Sequence, residues 1–357
     1  MIVAGGGTGG HLFPGLAVAD ALGRRGRCSV TFVGSSHGIE TRVVPKRGYP
    51  LRTLPVRALR GQGPVALAGS VLRLPACWIT ARRILEEVRP DLLIGVGGYA
   101  SAPAVVAGWS RRTPTVLLEQ NAHPGATNRV LARFADRICA SFPESVQYFP
   151  AERTILTGNP VRPPIGQETE RRGGFCVLIF GGSAGAHRLN EVGVEALSLM
   201  AKTGAAPRIV HQTGEADFER VRGRYRELGL HADVWPFIDD MAAAYAGADL
   251  IVCRAGATTL AEITALGKAA VLVPYPYAAD DHQRKNAESL VERGAALMIL
   301  DRDLSAQSLA DAIAGLRAAP DRLAGMAEKA RASGRPDAAD RVVDVCLELV
   351  ERRRRGA

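Results

Sequence analysis

Short aliphatic runs alternate along the chain with longer stretches of mixed polarity. The runs are Cys28–Val33, Leu92–Val96, Thr115–Leu118, Phe175–Phe180, Arg208–His211, Leu250–Cys253, Ala270–Val273 and Leu297–Leu300, with Met1–Ala4 ahead of them. Most are continuously apolar rather than alternating, the pattern of parallel strands covered on both faces. The stretches between them, such as Leu12–Leu22, read as helices. Strand–helix alternation of this kind predicts βαβ units and open parallel sheets, an α/β fold.

The alternation breaks near the middle of the chain. Gly158-Asn159-Pro160-Val161-Arg162-Pro163-Pro164 is turn-rich, and the polar stretch Gln167–Gly174 follows it. This predicts a linker between two domains, residues 1–163 and 164–337, a division that suits the length of 357 residues. The last helical stretch, about 338–357, is a candidate to pack back on the first domain. Both halves open on one device, a strand, a glycine loop and a helix. Met1–Ala4 leads into Gly5-Gly6-Gly7-Thr8-Gly9-Gly10-His11, and Cys176–Phe180 into Gly181-Gly182-Ser183-Ala184-Gly185-Ala186. A third copy runs from Leu92–Val96 into Gly97-Gly98-Tyr99. Two Rossmann-like, doubly wound halves are the economical reading.

Composition narrows the function classes. Hydrophobic residues make up 47% and aromatics 5%, so the cores are aliphatic, and disorder, collagen and small disulfide scaffolds are excluded. Lys+Arg number 45 against 36 Asp+Glu, a net charge of +9 carried almost entirely by arginine. A nucleic-acid role would want stacking aromatics among the basic residues, which argues for no nucleic-acid partner. The six cysteines are scattered without close pairs, which points away from disulfides and zinc and toward a reducing cytoplasm. No apolar run has bilayer-spanning length, and the first strand leaves no room for a signal peptide.

A glycine loop between strand and helix lets backbone N–H groups approach an anion. Gly5-x-Gly7-x-x-Gly10 matches the dinucleotide fingerprint, but the acid expected at the end of the second strand is missing, because Glu40 comes several residues too late. That argues against a nicotinamide or flavin cofactor. His11 opens the first helix, whose N-terminus favours the neutral, proton-accepting imidazole. Glu119-Gln120-Asn121 follows the strand at Thr115, where open α/β sheets place ligands. Glu262 lies near the start of the helix after Cys253-Arg254-Ala255-Gly256, where a carboxylate can take both hydroxyls of a ribose. Asp239-Asp240 and Asp280-Asp281 are adjacent acids, but the first pair opens a helix-like run and no zinc spacing occurs, so no metal site is expected.

Taken in order through both halves, these segments resemble the MurG family of UDP-N-acetylglucosamine–N-acetylmuramyl-(pentapeptide) pyrophosphoryl-undecaprenol N-acetylglucosamine transferases. The residues that carry the resemblance are Gly6-Gly7-Thr8-Gly9-Gly10-His11 with Phe13-Pro14-Gly15-Leu16-Ala17, then Gly97-Gly98-Tyr99, Glu119-Gln120-Asn121, Gly158-Asn159-Pro160-Val161-Arg162, Gly181-Gly182-Ser183-x-Gly185-Ala186 and Phe237-Ile238-Asp239-Asp240-Met241. The resemblance implies a GT-B fold with its active site in a cleft, and no cofactor. It implies inverting transfer of GlcNAc from UDP-GlcNAc to the 4-hydroxyl of MurNAc in lipid I, giving lipid II and UDP. Residue by residue, it implies donor contacts at Thr8, Gly9, Gly10, Asn121, Arg162, Ser183 and Ile238. It extends them through Ala257, Thr258, Thr259, Leu260, Ala261 and Glu262 to Gln283. His11 is the candidate base, with Glu119 the alternative, and Gly6, Gly7, Tyr99 and Asn128 are acceptor-side candidates. His282 stands where some relatives have a second glutamine, and Thr258 replaces an aliphatic residue.

Between Leu59 and Leu85, apolar Leu67, Val71, Leu72 and Trp78 are interleaved with Arg60, Arg73, Arg82 and Arg83. An apolar face fringed by arginines suits an anionic membrane surface, as does the run Arg352–Arg355, otherwise a solvated tail. Given the resemblance, the expected address is peripheral, on the cytoplasmic face of the bacterial inner membrane. Alternatives that stay open are another GT-B enzyme using a UDP-sugar (a glycolipid synthase or an epimerase), an oxidoreductase and a nucleotide-sugar sensor.

Overall fold

A computed structural model describes residues 1–26, 28–56, 74–161, 173–182, 185–204 and 206–355. The chain divides into two units, Met1–Arg162 with Pro336–Ala357, and Pro163–Arg335. The expected sites at Leu67, Val71, Leu72, Arg73, Arg162 and Ser183 lie outside the described residues.

In the first unit the strands are β1 (Ile2–Ala4), β2 (Thr31–Ser35), β3 (Leu51–Leu54), β4 (Leu93–Gly95), β5 (Thr115–Glu119), β6 (Arg137–Ala140) and β7 (Thr154–Leu156). They form one parallel sheet in the order β3-β2-β1-β4-β5-β6-β7. Val3 sits between Phe32 and Ile94 in register. In the second unit β8 (Cys176–Phe180), β9 (Arg208–Gln212), β10 (Ala232–Trp235), β11 (Leu250–Cys253), β12 (Ala269–Leu272) and β13 (Leu297–Met298) form a second parallel sheet, ordered β10-β9-β8-β11-β12-β13. The central strands are almost wholly buried, as their unbroken apolar runs require. Each sheet reverses its winding once, between β1 and β4 and between β8 and β11. Such switch points leave a crevice beyond the strands' carboxyl ends, where ligands bind.

Four strands were not legible from the apolar runs: β3, β6, β7 and β10. They are short and carry polar residues, and β3, β7 and β10 are sheet edges, where one side of the strand meets solvent. The run Cys28–Val33 also needs correcting, because its strand begins at Thr31 and extends to Ser35. The first helix starts earlier than Leu12, at Gly9, and runs to Arg24, so His11 lies within its first turn.

The final helix, Ala338–Arg355, packs on helix Gly9–Arg24. Val342, Val343, Cys346 and Val350 join Leu12, Leu16 and Val18 in one aliphatic core. Arg25 pairs with Asp344 at 2.9 Å, and Arg353 donates to the Arg112 carbonyl at 2.9 Å. The terminal arginines therefore finish a packed helix instead of forming a detached tail. Among the described residues no helix is long and apolar enough to cross a membrane.

Candidate active site

In the first unit three loops leave the carboxyl ends of β1, β4 and β5 side by side. Gly5, Gly6 and Gly7 have φ of +147°, +149° and +85° and carry the chain around to Thr8, the N-cap of helix Gly9–Arg24. Thr8 does not spend its hydroxyl on the cap; its Oγ1 lies 3.0 Å from His11 Nδ1. With Nδ1–H donating to that oxygen, Nε2 is the acceptor atom of the neutral ring. The His11 ring lies over the second loop. A Cβ on Gly97 would stand 2.8 Å from its Cδ2, and Gly98 is in a left-handed conformation beside it. Tyr99 packs against Gly7, with its Cε1 3.1 Å from where a Gly7 Cβ would be.

The third loop is built around Glu119, which is 2% exposed. Its Oε1 accepts from the Asn121 N–H at 2.9 Å, and its Oε2 accepts from Asn128 Nδ2 at 2.9 Å. Burial pushes the Glu119 carboxyl up to about 6, against the opposing pull of hydrogen bonds from Asn121, Asn128 and Gly125. The side chain thus orients two amides, a different task from reaching a substrate proton directly. Asn128 Nδ2 also donates to the Leu118 carbonyl at 2.9 Å and lies beside Gly97, so it meets His11 across that glycine. Gln120 Nε2 donates to the Val96 carbonyl at 3.0 Å and ties the second loop to the third. Among the described residues the buried oxygens Gln120 Oε1 and Asn128 Oδ1 have no hydrogen-bond partner. They are two acceptors suited to ligand O–H or N–H groups.

The second unit repeats the arrangement at its own switch point. Gly185, at φ +77°, is required by closeness, since a Cβ there would fall 2.1 Å from the Thr213 carbonyl oxygen. Gln212, 3% exposed, spans two loops: its Nε2 donates to the Gly182 carbonyl at 3.1 Å and its Oε1 accepts from the Ile238 N–H at 2.9 Å. After β11, helix Ala257–Leu266 begins with Gly256 as an extended N-cap. Ala257, Thr258 and Thr259 head this helix, with the positive end of its dipole. Leu260 is buried and its N–H is engaged by the Gly256 carbonyl at 3.0 Å. Ala261 and Glu262 stand half-buried one turn on. Glu262 Oε2 accepts from Tyr245 Oη at 2.8 Å. Gln283 Oε1 accepts from the Ala255 and Tyr275 N–H groups at 3.1 and 3.0 Å, so the end it offers a ligand is its amide Nε2.

The acidic pairs have local partners. Asp240 caps helix Met241–Ala246 by accepting from the Ala243 N–H at 3.0 Å, and Asp281 pairs with Arg284. Among the described residues no group of three or more His, Cys, Asp or Glu is placed to hold a metal. Trp78 is half-buried on helix Leu74–Val88 with the Arg82 guanidinium 5.7 Å over its ring, and its neighbour Ile79 is 46% exposed.

Sequence reasoning missed Glu40, Gln212 and Tyr245. Glu40 lies several residues beyond the place of the fingerprint acid, so its spacing gives no signal of a site. Gln212 and Tyr245 carry no local signal, because each holds a partner more than fifteen residues away in the chain, Gln212 on a loop and Tyr245 on helix Ala257–Leu266.

The glycosyltransferase family 28 N-terminal domain matches residues 1–140, and the C-terminal domain of the same family matches residues 176–342. A relative from Geobacter sulfurreducens, a UDP-N-acetylglucosamine–N-acetylmuramyl-(pentapeptide) pyrophosphoryl-undecaprenol N-acetylglucosamine transferase, is 51% identical over 96% of this chain and 97% of its own. Among solved structures, Acinetobacter baumannii MurG has a TM-score of 0.79 at 33% identity, covering 97% of this chain and 98% of its own. The UDP-GlcNAc 2-epimerase of Neisseria meningitidis, at TM-score 0.68 and 15% identity over 97% of this chain and 99% of its own, shares the fold.

Proposed function

The chain belongs to glycosyltransferase family 28 and to its MurG branch, and from that premise we propose how its residues carry the reaction. The enzyme transfers GlcNAc from UDP-GlcNAc to lipid I and forms lipid II, a step of peptidoglycan synthesis. The observation that carries this is 51% identity to a transferase of that name over nearly the full length of both chains. The test is incubation of the purified chain with a lipid I analogue and UDP-GlcNAc, with UDP-glucose and UDP-GalNAc as controls. Only UDP-GlcNAc should give efficient acceptor-dependent release of UDP.

His11 takes the proton of the MurNAc 4-hydroxyl as that oxygen attacks the anomeric carbon and UDP leaves, so the configuration inverts from α to β. Thr8 holds the ring at Nδ1, and in the tautomer whose Nδ1–H donates to Oγ1 the acceptor is Nε2. Glu119 acts by holding Asn121 and Asn128, and Gly6, Gly7, Tyr99 and Asn128 meet the acceptor. On the donor side the Ile238 backbone meets the uracil, Glu262 the ribose hydroxyls, and Gln283 the GlcNAc hydroxyls. Thr8, Gly9, Gly10, Asn121, Arg162, Ser183 and the helix start Ala257–Ala261 meet the rest of the donor. Backbone N–H groups aimed at the diphosphate stabilise the charge that develops as UDP departs.

The acceptor carries a polyprenyl chain, so the enzyme works at a membrane surface. The expected docking face joins Leu67, Val71, Leu72, Trp78, Arg73 and Arg82, and its membrane is the cytoplasmic leaflet. The exposed Ile79 and the arginines on helix Leu74–Val88 support this reading.

A further inference from the structure

Glu40 is a fully buried carboxylate that the reaction as described leaves without a role. It opens helix Glu40–Lys46, and its side chain turns back beneath the first glycine loop. Oε2 accepts from the Gly7 N–H at 2.8 Å; Oε1 accepts from the Ser35 N–H at 2.8 Å and from Ser35 Oγ at 2.7 Å. Three glycines make the room. A Cβ on Gly6 would fall 2.5 Å from the carboxyl carbon, one on Gly34 2.7 Å from Cγ, and one on Gly38 2.1 Å from Oε2. Read from sequence alone, glycines in such a loop let backbone N–H groups cradle an external anion. Here an internal anion takes the Gly7 N–H, and its own three donors replace the water that burial removes.

We propose that Glu40 is a positioning residue for transfer, an internal counter-anion that fixes the first glycine loop and, through it, the base. The proposal rests on the assignment of His11 as base. The path is short and covalent. Gly7 is held by Glu40 from one side and backed by Tyr99. Thr8 follows, and its Oγ1 orients His11 3.0 Å away. A loop released at Gly7 carries Thr8 with it and unfixes the imidazole, while the second unit's donor contacts are untouched.

Glu40→Gln tests this, because it keeps the volume but sets an NH₂ against the Gly7 or Ser35 N–H, donor facing donor. The expected result is a kcat for GlcNAc transfer down about 10- to 100-fold, the scale of a small misplacement of a catalytic group. The Kd for UDP, read by calorimetry, should rise by no more than about threefold, because only Thr8, Gly9 and Gly10 of the proposed donor contacts lie on the released loop, while those at Ile238 and Glu262 stay in place. Ser35→Ala removes one of the three bonds and should lower kcat by about fivefold, one hydrogen bond's worth. Wild-type kcat in Glu40→Gln overturns the proposal, as does a parallel loss of kcat and UDP affinity. If Glu40→Gln fails to unfold cooperatively, Ser35→Ala decides, and an unchanged kcat there overturns it. Wild-type protein assayed alongside separates the two levels: no transfer by wild type refutes the function itself, whereas active wild type with equally active Glu40→Gln refutes only the positioning role.

Discussion

Replacing Tyr245 by phenylalanine removes one oxygen atom beside Glu262, the proposed ribose contact. The ring is 2% exposed and packs edge-on to Phe180 at 5.8 Å, so phenylalanine fits the same space. What is lost is the bond from Oη to Glu262 Oε2, 2.8 Å long. Burial and the neighbouring Glu262 carboxylate hold the phenol well above its ordinary pKa, so it stays a donor at every working pH. Hydrogen bonds to charged groups contribute about 1.5–3 kcal/mol. The bond is present without ligand, so what reaches the Kd is the cost of re-aiming the half-exposed Glu262, about 1 kcal/mol or about fivefold. Calorimetry with UDP and with 2′-deoxy-UDP reads the effect. If Tyr245 aims Glu262 at the ribose, Tyr245→Phe weakens UDP more than 2′-deoxy-UDP and narrows the preference between them. An unchanged Kd for UDP, or an equal loss for both ligands, would refute the reasoning.

His11→Ala should cut turnover by about 10²–10⁴, the usual share of a general base, with UDP binding nearly intact; steady-state kinetics beside calorimetry shows the split. Glu119, with its carboxyl raised to about 6, should impose an acid limb on kcat/KM as the pH falls through that value, because protonation strips Asn121 and Asn128 of their acceptor. The limb should vanish in Glu119→Gln, and its persistence would assign it elsewhere. The same shift acts on stability in the opposite direction. The folded state keeps a proton that the unfolded chain releases at the ordinary value of 4.5, so this group's contribution declines as pH rises from there to about 6 and is flat beyond. Gly185→Ala puts a Cβ against the Thr213 carbonyl at a left-handed φ and should weaken UDP by about tenfold or more. Making Leu67, Leu72 and Trp78 polar together should weaken binding to anionic vesicles, a binding that also falls with salt; undiminished binding would remove that face from the docking surface.

The legible part of the fold was the part dominated by one interaction. Continuously apolar strands such as Val177–Phe180 and Leu250–Cys253 are buried on both faces, so their burial is written in adjacent residues. Edge strands such as Ala232–Trp235, alternately half-exposed and exposed, look like loops. The site divides the same way. Glycine loops, His11, Glu119 and Glu262 stand out as candidates because their chemistry and their position after a strand are both local. Glu40, Gln212 and Tyr245 do not, because each holds a partner 17 to 33 residues away in the chain. The glycines of the first loop carry the sharpest lesson. They promise an external anion in sequence, yet Gly6 of that loop, with Gly34 of β2 and Gly38 just after it, is small because the chain's own carboxylate needs the space.

The central claim is an acceptor-dependent transfer, and the product tests it most directly. Purified protein, UDP-GlcNAc and a short-chain lipid I analogue should give one disaccharide product, β-linked at the MurNAc 4-position by NMR, with one UDP released per linkage formed. UDP release without acceptor, conversion of UDP-GlcNAc to its 2-epimer, or an α-linked product would contradict the account.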